Sequence, residues 1–342
     1  MIDRLEALCA LNAPSGAEDA VAAYILSHIP SDCTVTRDKL GNITVQKPGK
    51  NRARVRVMLD AHMDEVGFIV TYITDEGLLK FTPVGGVDAS VTLGRRVVFA
   101  NGVYGVVGAK PVHLMNTQER KTVPQIDAMY IDIGAASKEE AMAAVRVGNM
   151  AVFDSEFARL GEYKLKAKAI DDRAGCAILL DLLNQETEYD LIFNFSVQEE
   201  VGLRGATTAA YRIAPDAAII VEATTAADYH GVAPEKQVCR LAQGAAVSFM
   251  DGATLYDKGY YDAALATAAE QGIACQPKAV VAGGNNAGAV HKSREGVRTL
   301  AVSVPCRYIH SASCVADRRD MEAAAALVRV MAEKIASGAL DA

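Results

Sequence analysis

Three stretches of this chain run apolar and then end abruptly in acids or histidine. Residues 55–59 lead into Asp60-Ala61-His62, residues 191–197 into Gln198-Glu199-Glu200, and residues 217–221 into Glu222. Short apolar runs of this kind have the length of buried strands. If they are strands, they carry polar side chains to one edge of a sheet, where α/β sheets place their ligand sites. Helical patterns intervene or follow at 174–185, 261–271 and 321–336. This alternation predicts an α/β fold, a layered sheet with helices on both faces.

Two further segments complete the expected organisation. Apolar residues at helical spacing (Leu5, Leu8, Leu11, then Val21, Ala22, Ile25, Leu26) are divided by Pro14-Ser15-Gly16, which predicts two helices, the second starting at Ser15 or Gly16. Between about Thr71 and Glu162 the texture changes to short Val- and Gly-rich pieces with turns at Asp75-Glu76-Gly77 and Asn101-Gly102. The expected division is an α/β domain at 1–70 and 163–342, interrupted by a small β-rich domain at 71–162.

Composition narrows the function. The 342 residues carry a net charge of −7 with no basic run, which argues against nucleic acid as a partner. No apolar stretch approaches a membrane span, and the first residues, Met1-Ile2-Asp3-Arg4-Leu5-Glu6, lack the basic start and apolar run of an export signal. The seven cysteines (Cys9, Cys33, Cys176, Cys239, Cys275, Cys306 and Cys314) are scattered without a Cys-x-x-Cys pair, as expected of reduced thiols in the cytoplasm. A metal site would therefore use oxygen and nitrogen ligands.

Four groups of residues could supply them. In His62-Met63-Asp64 an extended backbone points imidazole and carboxylate the same way, so Asp64 could orient His62 as a ligand. A lone histidine, however, is more often a satisfied core or surface residue. Asp171-Asp172 opens an apolar helix, where acids are ordinary capping residues. The adjacent Glu199 and Glu200 repel each other unless a cation or shared proton lies between them. Glu222 and His310 follow two other apolar stretches. Two histidines and four or five carboxylates at strand ends suit paired Zn²⁺, Co²⁺ or Mn²⁺.

These residues also carry a resemblance. Ala61-His62-Met63-Asp64-Glu65-Val66-Gly67-Phe68, Asp171-Asp172-Arg173-Ala174-Gly175, Gln198-Glu199-Glu200-Val201-Gly202-Leu203-Arg204-Gly205-Ala206 and Arg307-Tyr308-Ile309-His310-Ser311 occur in one order. Together they resemble the co-catalytic metallo-aminopeptidases of the glutamyl or deblocking type, which assemble as tetrahedral particles. The resemblance implies a phosphorylase/hydrolase-like catalytic domain with an inserted small β-barrel-like (PDZ-like) domain, and two divalent ions per subunit, Zn²⁺, Co²⁺ or Mn²⁺. It makes His62 and His310 terminal ligands, Asp171 the bridge, and Glu200 and Glu222 the remaining carboxylates. Glu199 becomes the general base and Asp64 the partner of His62.

The chain departs from that pattern at Glu222, where an aspartate is usual, and at Asn285-Asn286, where Thr-Asp is usual beside the substrate. Ser311-Ala312 also replaces Ser-Pro. The implied activity is removal of N-terminal residues from short peptides, by dimers that assemble into a homododecamer through the inserted domain. Other readings of the same residues are a different dinuclear amidohydrolase or carboxypeptidase, a two-carboxylate glycosidase, and a non-catalytic binding protein.

Overall fold

The computed structural model describes residues 1–340. Its main sheet has eleven strands, and four of them form a parallel centre: Leu191–Ser196, Val57–His62, Ala217–Thr225 and Arg298–Arg307, adjacent in that order. Antiparallel strands flank them, Ile43–Lys47 on one side and Cys314–Asp317 on the other. Parallel central strands must be covered on both faces, and the apolar residues divide accordingly. Leu59, Ile219, Val221, Leu300 and Val302 face one core with the helices Ile170–Leu183 and Arg318–Ala336. Met58, Ala218, Ile220 and Ala301 face a smaller one against Arg204–Ile213 and Ala287–Val290. The split follows the two-residue period of a strand, and the layered α/β expectation is met.

Register does the positioning. Ser196 pairs with His62, and Glu222 with Ser303. Ile220 pairs with Asp60, so Glu222, two residues on, reaches the level of His62. The three run-ends noted in the sequence therefore lie side by side.

Six further strands between Gly67–Ile73 and Met150–Phe153 close into a barrel. The strands Arg96–Phe99 and Tyr104–Gly108 pair across the Asn101-Gly102 turn, as the sequence implied. The barrel has its own core, in which Phe68 meets Phe81 and Phe153 edge-on. One expectation fails: the second helix is Asp19–Ser27, with Glu18 at its cap, and does not begin at Ser15 or Gly16. Both candidates have other duties. Ser15 is 3 % exposed and donates its hydroxyl to Asp64, and Gly16 donates its N–H to Glu18 Oε1.

A candidate metal centre at the strand ends

All seven residues singled out in the sequence converge here. His62 Nε2 lies 3.2 Å from Asp171 Oδ1, 3.4 Å from Glu222 Oε1 and 4.0 Å from Glu199 Oε2. His310 Nε2 lies 3.3 Å from Asp171 Oδ2 and 3.2 Å from Glu200 Oε2. The two oxygens of Asp171 thus face different histidines, each of which has its own glutamate. The groups whose donor atoms lie within 4.8 Å of one another are His62, Asp171 and Glu200, and His62, Asp172 and Glu222. Nitrogen and carboxylate oxygen in this mixture suit Zn²⁺, Co²⁺ or Mn²⁺ better than the all-oxygen preference of Ca²⁺ or Mg²⁺.

The sequence makes this geometry through local devices. Asp171 and Asp172 sit at the start of Ile170–Leu183 but depart from helical φ/ψ, after Ala169 in the left-handed region. Their side chains consequently do different work. Asp172 turns inward, accepting the His62 N–H at 3.2 Å and the Gly175 N–H at 2.9 Å. Gly175 is required by this packing. A Cβ there would stand 2.5 and 2.6 Å from the Asp172 carboxylate oxygens and 2.7 Å from the Val221 carbonyl.

Asp64 fastens the other side. It is fully buried, and its Oδ1 lies 3.3 Å from His62 Nδ1 and accepts the Glu199 N–H at 3.0 Å. Its Oδ2 accepts the Ser15 hydroxyl at 2.6 Å and the Glu200 N–H at 3.2 Å. One carboxylate therefore fixes a histidine ring and the backbone of both glutamates. His310 is oriented from the barrel side, since its Nδ1 donates to the Gly86 carbonyl at 2.9 Å. In both histidines the second nitrogen is engaged, which leaves Nε2 facing the carboxylates.

Charge balance tests whether cations fit. Burial alone would push the Asp171 carboxyl up, but His310 and His62 hold it below the ordinary range. Burial pushes Glu200 and Glu222 well above theirs, with Asp171 adding to the first and Asp172 to the second. Glu199 is pushed up to about 7 by burial and by Asp171 and Asp64. Burial works against protonation of the histidines, yet Glu222 and Asp171 raise His62 well above its usual value, and Asp171 and Glu200 raise His310 to about 10. With protons as the only cations, the cluster must retain them on both imidazoles and on its glutamates. Divalent cations would supply that positive charge, so the donor set fits them.

Two participants were missed in the sequence, Ser15 and the Gly86 carbonyl, which support the cluster without standing in a strand-end pattern. Asp172, read there with Asp171, supports it as a capping acid. Asn285 and Asn286, expected together beside the substrate, separate. Asn285 lines a cavity of about 410 Å³ next to the acids. Asn286 is 1 % exposed and turns beneath them, donating to Asp60 Oδ2 and Ser196 Oγ at 2.8 Å each. An aspartate at 286 would set a second carboxylate against Asp60, whose pKa burial already raises to about 6. An amide supplies a donor instead.

Residues 41–327 match the family model described as M42 glutamyl aminopeptidase. A putative aminopeptidase of Acetivibrio thermocellus is 36 % identical, over 96 % of this chain and 97 % of its own. A lysyl aminopeptidase of Pyrococcus furiosus is 31 % identical, over 87 % of this chain and 86 % of its own. Among solved structures, an aminopeptidase of the archaeon Desulfurococcus kamchatkensis superposes with a TM-score of 0.94 at 34 % identity, covering 99 % of this chain and 96 % of its own. The TET1 peptidase of Pyrococcus horikoshii, which can assemble into a tetrahedron or a large octahedral shell, gives 0.85 at 33 % identity, with 97 % and 98 % covered. The chain is a peptide hydrolase and belongs to the M42 family of metal-dependent glutamyl aminopeptidases.

Proposed function

We propose that the chain is a two-metal aminopeptidase in which Glu199 is the general base. The observation that carries this reading is the division of Asp171, with one oxygen toward His62 and the other toward His310. His62, Asp171 and Glu222 would hold one ion, and His310, Asp171 and Glu200 the other. When bound, the ions supply Lewis acidity that makes water a nucleophile near neutral pH and polarises the scissile carbonyl. Glu199 takes a proton from the attacking water and passes it to the leaving amine, a task helped by a carboxyl raised to about 7. Asp64 keeps Glu199 in place through its backbone N–H. The free α-amino group of the peptide would bind near one metal or an acid of the cluster, which limits cutting to the first residue.

The experiment is a panel of aminoacyl chromogenic substrates, assayed after chelation and then with Zn²⁺, Co²⁺ or Mn²⁺ restored. Activity is expected to vanish with the chelator and return with a metal. Cleavage of an N-terminally blocked peptide as fast as its free-amine form would instead indicate another amidohydrolase. Loading should also depend on pH. Because neighbouring acids raise both histidines in the ion-free cluster, the ions must displace protons. Apparent affinity should therefore rise with pH and fall in acid, with proton release measurable by calorimetry in buffers of different ionisation heat. An affinity independent of pH would contradict this donor set.

Assembly is part of the proposal. The barrel segment exposes Tyr104, Val106, Val112 and Leu114, at 48–66 % each, an apolar surface that supports subunit contacts. We assign the inserted segment 71–162 to oligomerisation and expect a homododecamer that admits short peptides. Light scattering should give a mass many times that of one chain, and a stable active monomer would refute it. No helix among the described residues is long and apolar enough to cross a membrane. The seven unpaired cysteines support a reducing, cytoplasmic setting.

A further inference from the structure

A groove of about 1210 Å³ lies at the opposite ends of the central strands from the acid cluster. Its lining includes Val57, Leu191 and Asp216, which begin or precede the strands that end at His62, Ser196 and Thr225. On one face of the sheet, helices Arg204–Ile213 and Ala287–Val290 cover Met58, Ala218 and Ile220. Register carries that face outward. Ile192 pairs with Met58 on one side and Gln46 on the other, and Thr34 and Thr36 of the edge strand Thr34–Arg37 pair with Gln46 and Thr44. Thr34, Thr36 and Gln46 are exposed, and they form a polar floor about 10 Å wide across three strands.

Six lysines and arginines line the groove against three aspartates, in a chain whose net charge is −7. Two of the arginines are oriented by neutral oxygens. Arg212, in the last turn of Arg204–Ile213, donates Nη2 to Thr44 Oγ1 at 2.7 Å, and Arg56 donates Nη1 to the Ile213 and Ala214 carbonyls at 3.2 and 3.4 Å. A cation at a helix C-terminus is ordinary capping, but here it occupies one nitrogen of each fork. Among the described residues neither guanidinium has a carboxylate at ion-pair distance, nor does that of Arg54. The nearby aspartates are committed, Asp216 to the Arg56 backbone N–H at 2.9 Å and Asp190 to the Gly49 N–H at 2.9 Å and to Arg52 at 3.3 Å. The loop carrying Lys50, Arg52 and Arg54 is pinned, since the N–H groups of Lys50, Asn51 and Arg54 donate to the Thr187, Glu188 and Ala336 carbonyls at 2.8–3.1 Å. The wall is thus preformed, and its charge is only partly neutralised.

We propose that this groove is a binding site for a small ligand bearing several phosphoryl groups, whose oxygens accept from the Arg56 and Arg212 guanidiniums and from Thr34, Thr36 and Gln46 on the floor. Planar guanidinium forks match phosphate oxygens two at a time. Three arginines without a carboxylate partner suit a ligand of several negative charges, and a floor wider than one phosphate suits a chain of them. An inorganic chain and a nucleoside-linked one share this chemistry. The site is separate from the acid cluster and needs no metal there.

The test is calorimetric titration of the full chain with sodium tripolyphosphate, ATP and a tetra-aspartate peptide. The protein is treated with chelator first, so that no phosphate binds through a metal at the acid cluster. Tripolyphosphate should bind saturably, one per chain, and R212M and R56M should each weaken it by about 10-fold or more, the worth of one charge-assisted hydrogen bond. R95M, which removes an exposed charge from the barrel segment, should leave it unchanged. Thr36→Val keeps the shape of an exposed strand residue and should cost roughly 2- to 10-fold, which decides the matter if an arginine variant does not fold. ATP binding as tightly as tripolyphosphate would identify a nucleoside-linked ligand, and weaker binding an inorganic one. Wild-type affinity for both phosphates weaker than about 1 mM overturns the proposal. So does an affinity unchanged in R56M, R212M and T36V, an equal loss in R95M, or tighter binding of tetra-aspartate.

Discussion

Replacing Glu199 with Gln is expected to lower kcat by roughly 10²- to 10⁴-fold, the usual contribution of a positioned general base, while bound metal stays at the wild-type level. The reasons are geometric. Glu199 Oε2 is 4.0 Å from His62 Nε2, beyond the distances at which Glu222 and Asp171 approach that nitrogen. Its side chain is therefore placed beside the donor set and not within it. Glutamine keeps the shape and the backbone hydrogen bond to Asp64 but cannot accept a proton from water. Metal analysis beside single-turnover rates separates the two roles. A fall in metal content that tracks the fall in rate would make Glu199 a ligand.

Asp171→Asn should be more damaging and in a different way. The amide retains one oxygen, so only one histidine can share it, and the NH₂ group turns a donor toward the other. Metal content is expected to drop from two ions per chain to at most one. Activity should fall by more than the roughly 10- to 100-fold typical of residues that merely support a ligand. Elemental analysis of purified protein, with the rate measured on the same sample, checks both. Full metal content in D171N would remove the bridge from the account.

The contrast between Asp171 and Asp172 shows how far the sequence could be read. Both acids open the same helix, and the capping and ligating readings each fitted the pair. Both readings have a physical counterpart, one per residue: Asp172 accepts the N–H of Gly175 as a capping acid does, and Asp171 faces the histidines. Only the non-helical φ/ψ at these positions separates the two, and a string of letters does not carry it. The strand ends were legible because apolar runs and their polar terminations are local. So was the barrel, through the Asn101-Gly102 hairpin.

What escaped depends on contacts that are remote in sequence or made by backbone. Ser15 reaches Asp64 across 49 positions, which took it out of the helix start that its residue type suggested. The Gly86 carbonyl that orients His310 belongs to no side chain. Asn285 and Asn286 are neighbours in sequence but face a cavity and a buried carboxylate respectively.

Asp171 would serve two ions, with one oxygen toward His62 and the other toward His310, and stoichiometry tests this most directly. Chelator-treated protein titrated with Zn²⁺ in a calorimeter, with bound metal counted by elemental analysis, should take up two ions per chain, and activity should follow their occupancy. Uptake of a single ion, with full activity at that point, would contradict the account.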